Sequence, residues 1–95
     1  MKDWFLYFIR CNDNSLYCGI TTDVERRFAE HSSGNGKAAR YIRGRRPLTL
    51  AFSDKVGNHS QALKAEYRVK KYNKATKEKL VAGQVTLQEL LNDQD

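Results

Sequence analysis

Residues 15–31, SLYCGITTDVERRFAEH, change character halfway along. Ser15–Ile20 is rich in branched and aromatic side chains, as a strand requires. From Thr22 the pattern turns charged, with Val24 and Phe28 four positions apart as on one face of a helix. Thr22 followed by Glu25 has capping-box spacing, which predicts a helix start near Asp23. Arg27 and His31, also four apart, lie side by side near the Val24/Phe28 stripe. A passage built only for packing would need far fewer polar groups than Tyr17, Arg27 and His31 supply, and Gly19 is read as permitting a close strand-to-helix passage.

Upstream, residues 4–11, WFLYFIRC, read as the partner strand of a β-hairpin closed by Asn12–Asp13–Asn14. The length of that loop decides what the two strands share. A loop of two or four residues puts Tyr7 and Tyr17 on opposite faces, because side chains alternate along a strand. A three-residue loop sets residue 9 opposite residue 17 and makes Tyr7 and Tyr17 diagonal neighbours on one face. Its last position calls for a left-handed backbone, which Asn14 tolerates, so the three-residue loop is expected.

Downstream, Gly34 and Gly36 are expected to end the first helix, and KAARYIRG to hold a short helical turn. LTLAFS, residues 48–53, reads as a third strand. From about Ser60, SQALKAEYRVKKY places Ala62, Ala65, Val69 and Tyr72 on one helical stripe. KATKEKLVA forms a further helix stopped by Gly83, and Thr86 with Glu89 repeats the capping-box spacing before a last helix, LQELL. The order implies an α+β fold, a small and mostly antiparallel three-stranded sheet flanked by helices, with residues 1–95 as a single domain.

No run approaches the roughly 20 apolar residues that span a bilayer, and no signal-peptide core follows Met1, so a cytoplasmic, membrane-free protein is expected. Cys11 and Cys18 read as free thiols. With two distant histidines and neither CxxC nor HxxxH spacing they do not make a zinc site.

The net charge of +6 is unevenly spread. Residues 1–36 carry four basic and five acidic groups, whereas residues 37–46, KAARYIRGRR, carry five basic groups and no acid. A local positive field of this kind attracts polyanions and favours phosphate contacts. The alternative is a solubilising surface loop.

Glu66 falls towards the apolar stripe of its helix, about 40° from Ala62 on a helical wheel. A carboxylate there costs stability unless it is paired, protonated or bound to a cation. Arg68 or Lys70 can pair with it; a hard divalent cation that keeps several waters is the other solution.

Taken together these residues resemble the GIY-YIG nuclease superfamily over nearly the whole chain, and most of all its small stand-alone bacterial YhbQ-like subgroup. The first motif stands here as Phe5-Leu6-Tyr7 and the second as Tyr17-Cys18-Gly19, so both tyrosines and the last glycine are kept. The segment Thr22–His31 is similar to the family's helix carrying an arginine and, four residues on, a histidine. Those positions are Arg27 and His31. Glu66 matches the family's metal-binding glutamate, and Asn73 is the nearby candidate for a further asparagine.

The resemblance implies a metal-dependent endonuclease acting on DNA that is branched, damaged or single-stranded, in repair or processing. Its catalytic residues would be Tyr7, Tyr17, Arg27, His31 and Glu66, with one Mg²⁺ or Mn²⁺ on Glu66. Arg27 would clamp the phosphate, and a tyrosine would orient or deprotonate the attacking water. Tyr7 is favoured as the base with Tyr17 orienting, while His31 would hydrogen-bond a tyrosine or move its proton. Lys37, Arg40, Tyr41, Arg43, Arg45, Arg46 and Lys70 would hold nucleic acid, Tyr41 by stacking on an unpaired base. Either this basic patch binds the substrate by itself or a protein partner supplies the specificity. The competing readings are a non-catalytic DNA- or RNA-binding module on the same fold, and an adaptor subunit docking through VTLQELLNDQD.

Overall fold

The computed structural model describes residues 2–33 and 38–92. Strands β1 (Trp4–Arg10) and β2 (Leu16–Thr21) form the hairpin, followed by α1 (Val24–Ser33), a 3₁₀ turn at Arg40–Ile42 and β3 (Thr49–Gly57). Three helices complete the chain: α2 (His59–Val69), α3 (Lys74–Val81) and α4 (Leu87–Asn92). The sheet is antiparallel throughout, in the order β2-β1-β3.

The hairpin has the expected three-residue geometry. Ile9 pairs with Tyr17 and Tyr7 with Gly19. Asn14 takes the left-handed conformation, at φ 69°, while its N–H donates to the Cys11 carbonyl. Arg10 reaches back to the Asn14 side chain at 3.0 Å, which fixes the loop from the strand side.

β1 is the central strand and is covered on both faces, so Leu6, Tyr7, Phe8 and Ile9 are all buried. This explains its uninterrupted apolar reading where a half-exposed strand would alternate. Leu6 and Phe8 join Cys18, Ala65, Val69, Leu80 and Leu87 in one core beneath α2–α4. Tyr7, Ile9 and Cys11 face the other way and pack with Ile42, Phe28, Ala39, Leu48 and Tyr17 beneath α1 and the 3₁₀ turn.

Three local expectations are corrected. Asp23, rather than Thr22, caps α1: its carboxylate accepts the Arg26 N–H at 3.1 Å, while the Thr21 hydroxyl accepts the Asp23 N–H. The Thr22/Glu25 spacing is a box that loses to a better-placed carboxylate one residue on. β3 continues to Gly57, well past the expected residue 53, because Ser53–Lys55 are exposed on an edge strand and show no hydrophobic alternation. α2 starts one residue early, under an Asn58/Gln61 capping box, and ends at Val69, leaving Tyr72 in the following turn though still packed on the core. Thr86 and Glu89 do form their reciprocal pair, at 2.8 and 3.0 Å. Gly34, Gly36 and Lys37 lie outside the described residues.

α3 is tied to the hairpin by charge. Arg10 forms a two-pronged bridge to Glu78, both contacts at 2.7 Å, and Lys74 approaches the same carboxylate. These cations hold the Glu78 carboxyl down at about 2. Asn73 caps α3 by accepting the Thr76 N–H, which gives that asparagine a structural task. No helix among the described residues is long and apolar enough to cross a membrane.

Candidate active site

Tyr7, Tyr17 and His31 form one cluster on the α1 side of the sheet, with ring centroids 5.5–6.4 Å apart. The odd hairpin loop puts the tyrosines on this face. His31 is the only fully buried residue of α1 and arrives from above them, so the Arg27/His31 pair points inward.

The hydrogen bonds fix the imidazole's chemistry. His31 Nδ1 accepts the backbone N–H of Ala39 at 3.2 Å, and an amide N–H can only donate. A neutral His31 therefore carries its proton on Nε2 and donates it to Tyr7 Oη, 2.9 Å away. Burial and the adjacent Arg27 cation depress the imidazole to about 4, so it is neutral at pH 7. In this tautomer His31 acts on Tyr7 as a hydrogen-bond donor, one of the two tasks considered for it from sequence.

Arg27 also hydrogen-bonds the Tyr7 phenol. Its guanidinium is held from the other side by Glu30 at 2.9 Å, and Arg26 shares that carboxylate at 3.1 Å. Two donors thus converge on Tyr7 Oη, as they would around a phenolate. Burial nevertheless pushes the Tyr7 phenol above its ordinary value, helped by Tyr17, and Arg27 only partly offsets this. Burial raises Tyr17 as well, with Lys70 and Arg27 pulling the other way and Glu66 adding to the rise.

Gly19 has a more specific task than easing a strand-to-helix passage. A Cβ built on it would lie 2.4 Å from Tyr7 Oη and 2.6 Å from Cζ. The phenol rests on the bare backbone of its cross-strand partner, and only glycine leaves that space.

Glu66 projects from α2, on the other side of the sheet, and its charge acts on Tyr17 and Cys18 of β2. Its field raises both the Tyr17 phenol and, after the larger effect of burial, the Cys18 thiol, which is pushed up to about 12. Its carboxylate pairs with Lys70 at 3.2 Å, one of the two cations considered from sequence. A cleft of about 380 Å³ at β2 is lined by Leu16, Tyr17, Cys18, Tyr41, Lys70 and Lys77. Tyr17 therefore meets the opening, whereas Tyr7 is 2 % exposed and sits behind it. Lys77 carries no sequence signal beyond its charge, and its place in the lining was not anticipated.

Among the described residues no three His, Cys, Asp or Glu side chains converge, so a metal on Glu66 would take most of its ligands from water. That set suits Mg²⁺ or Mn²⁺, hard ions that retain waters in their remaining positions. The Lys70 ammonium already occupies a cation's place on Glu66, and it lies on an exposed, flexible stem able to swing aside.

The basic segment stands beside the cleft, anchored by the fully buried Ile42. Arg40 and Arg43 are exposed. Arg45 is bound to Asp13 at 3.2 Å and to the Tyr41 carbonyl, and Arg46 donates to the Ser32 carbonyl at 3.2 Å. The Tyr41 ring is stacked with Tyr17 at 6.0 Å and lies under the Arg45 guanidinium at 4.2 Å, so it already has two neighbours.

With this architecture in view, residues 3–79 match the GIY-YIG catalytic domain. The chain belongs to the GIY-YIG family, a nuclease superfamily. It is 60 % identical over 92 residues to the UPF0213 protein YhbQ of Escherichia coli O127:H6, covering 97 % of this chain and 90 % of that one. A UPF0213 protein of Cronobacter sakazakii is 56 % identical over 88 residues, 93 % of this chain and 90 % of its own. Two solution structures resemble the fold. The UPF0213 protein BH0048 of Bacillus halodurans has a TM-score of 0.53 at 40 % identity, over 84 % of this chain and 83 % of that one. The protein EF2693 of E. faecalis reaches a TM-score of 0.60 at 36 % identity, over 87 % and 86 %.

Proposed function

We propose that this protein is a metal-dependent endonuclease that hydrolyses phosphodiester bonds in DNA, acting on branched, damaged or single-stranded substrates in repair or processing. The observation that carries the reading is the cluster of Tyr17, Arg27 and the Tyr7–His31 pair beside a basic segment, with the Glu66 carboxylate near enough to act on Tyr17. No packing requirement brings an arginine, a histidine, two tyrosines and a carboxylate there.

The residues divide the work by position. Glu66 would hold a single Mg²⁺ or Mn²⁺, which when bound supplies charge neutralisation at the phosphoryl and leaving oxygens. Arg27 offers a planar donor fork to the non-bridging phosphate oxygens, a fit that lysine lacks. Tyr7 and Glu30 aim that fork from two sides. His31 holds the Tyr7 oxygen as a neutral donor. Exposure favours Tyr17, rather than Tyr7, as the group that touches the attacking water, because Tyr17 meets the cleft and lies in the field of Lys70 and Arg27. Lys70, Lys77, Arg40 and Arg43 then contact the flanking phosphates by charge, reading backbone and shape with no base-specific element.

The test is nicking of supercoiled and branched DNA by the purified chain with Mn²⁺ and with EDTA. Cleavage is expected only with metal and is expected to fall at least about 100-fold in Arg27→Ala, Tyr17→Phe and Glu66→Ala. Full activity in Glu66→Ala would remove its ligand role. The log rate of the wild type is expected to climb through pH 9 with a slope near one, because the phenolate fraction of a tyrosine with a raised pKa grows about tenfold per pH unit.

A further inference from the structure

The largest exposed apolar side chains on α2 form a stripe of their own. Leu63 is 47 % and Tyr67 66 % exposed, four residues apart and therefore adjacent on the helix surface. At 100° per residue, Glu66, Lys70, Leu63 and Tyr67 follow one another around the helix within about 100°. The stripe is thus continuous with the rim of the cleft, on the side away from the core. Lys71 places its ammonium 4.1 Å from the centre of the Tyr67 ring and bonds its hydroxyl. Residues 59–71 carry Lys64, Arg68, Lys70 and Lys71 against a single acid, Glu66.

The Tyr67 ring is largely exposed beside lysines, and the charge around it complements a polyanion. We propose that Leu63 and Tyr67, with Lys70 and Lys71, form a stacking platform for unpaired nucleotides of a nucleic-acid strand that continues past Glu66. A base lies against the open face of the Tyr67 ring and the edge of Leu63, and the Lys71 ammonium turns from the ring to the adjoining phosphate. Tyr41, the aromatic residue of the basic segment, is engaged by Tyr17 and Arg45, which leaves Tyr67 as the more accessible ring. Paired bases keep their faces inside the duplex, so the platform selects strands that are locally single. The proposal rests on the nuclease reading only for the course of the strand.

The experiment measures binding without cleavage. Fluorescence anisotropy in EDTA at low salt compares a labelled twelve-nucleotide single-stranded DNA with its blunt duplex, for wild type, Tyr67→Phe and Tyr67→Ala. Wild type and Tyr67→Phe are expected to hold the single strand alike, because the ring is kept. Tyr67→Ala is expected to lose about tenfold, the effect of one stacked base, with duplex affinity changed less than about twofold. Equal losses on both probes would reduce the stripe to non-specific charge and overturn the proposal. An unchanged single-strand affinity would overturn it too, as would a wild-type dimer that Tyr67→Ala turns into monomers, which would assign the stripe to a second copy. Circular dichroism checks that the exposed substitution leaves the fold intact. If the platform binds as expected but Mn²⁺ gives no cleavage, the nuclease reading fails while the binding site stands.

Discussion

One strand serves both halves of this molecule, and the halves differ in the polar network that one of them holds around Tyr7. Leu6 and Phe8 of β1 look into a core of aliphatic and aromatic side chains under α2–α4. Tyr7, between them, looks the opposite way into a network of His31, Arg27 and Tyr17. The first face resists deformation because every contact is apolar and replaceable by another of similar shape. The second sets hydrogen bonds with fixed donors and acceptors around Tyr7 on an apolar floor of Ile9, Ile42 and Phe28. Strand alternation keeps the two roles apart at single-residue resolution, so the chemistry can be altered without unfolding the scaffold.

The sharpest way to break this comparison is a pair of substitutions. Phe8→Ala, at a fully buried position, is expected to cost about 3–5 kcal/mol in urea unfolding. Tyr17→Phe is expected to change stability by less than about 1 kcal/mol while lowering cleavage at least about 100-fold. A stable Phe8→Ala protein or an unfolded Tyr17→Phe protein would erase the distinction.

Gly19→Ala tests how closely the polar face is fitted. Its new methyl would overlap the Tyr7 hydroxyl, so a loss of about 1–3 kcal/mol is expected. In a Tyr7→Ala background the same change should cost less, and a double-mutant cycle reads the difference as coupling. Additive effects would mean that the glycine serves something else.

A smaller effect should appear on acidification. The unfolded His31 binds a proton near pH 6.5 but the folded one only near 4, so the unfolded chain binds more protons between those values. Stability present above pH 6.5 is therefore lost as pH falls towards 4, by an amount on the order of 3 kcal/mol. His31→Gln should flatten that part of the profile. Below about pH 4.5 both proteins should weaken further, because protonating Glu78, held near 2, releases Arg10 and Lys74. The least effect is expected at the rim: replacing Arg40 or Arg43 by glutamine should weaken all DNA sequences equally and lower the salt slope by about one per lost phosphate contact.

Much of this arrangement was readable from short-range rules. The three-residue loop follows from Asn14 and fixes the whole hairpin register, including the tyrosine pair. The same count sets Tyr7 opposite Gly19, so the seat for the phenol was present in the sequence although the glycine was read as a passage residue. Glu66 was placed correctly at the margin of the apolar stripe because helical geometry is regular. Other features depend on distant parts of the chain. The tautomer of His31 is set by the Ala39 amide, which no pattern of side chains reveals. The end of β3 was hidden because an exposed edge strand needs no apolar alternation. Burial separates Tyr7 from Tyr17, and burial arises only when α1 and the 3₁₀ turn close over the sheet.

The hairpin loop has a further consequence through its contacts with the basic segment. The Asn12 N–H donates to the Arg45 carbonyl and its side-chain amide to the Arg46 carbonyl, both at 2.8 Å, while Asp13 holds the Arg45 guanidinium. The backbone at Arg45 and Arg46 is therefore fixed by the fold itself. A floppy arginine-rich arm must lose its conformational freedom on contact, which weakens binding and slows commitment. Here that loss belongs to folding, and Arg45 and Arg46 hold their charges at a constant distance from the cleft.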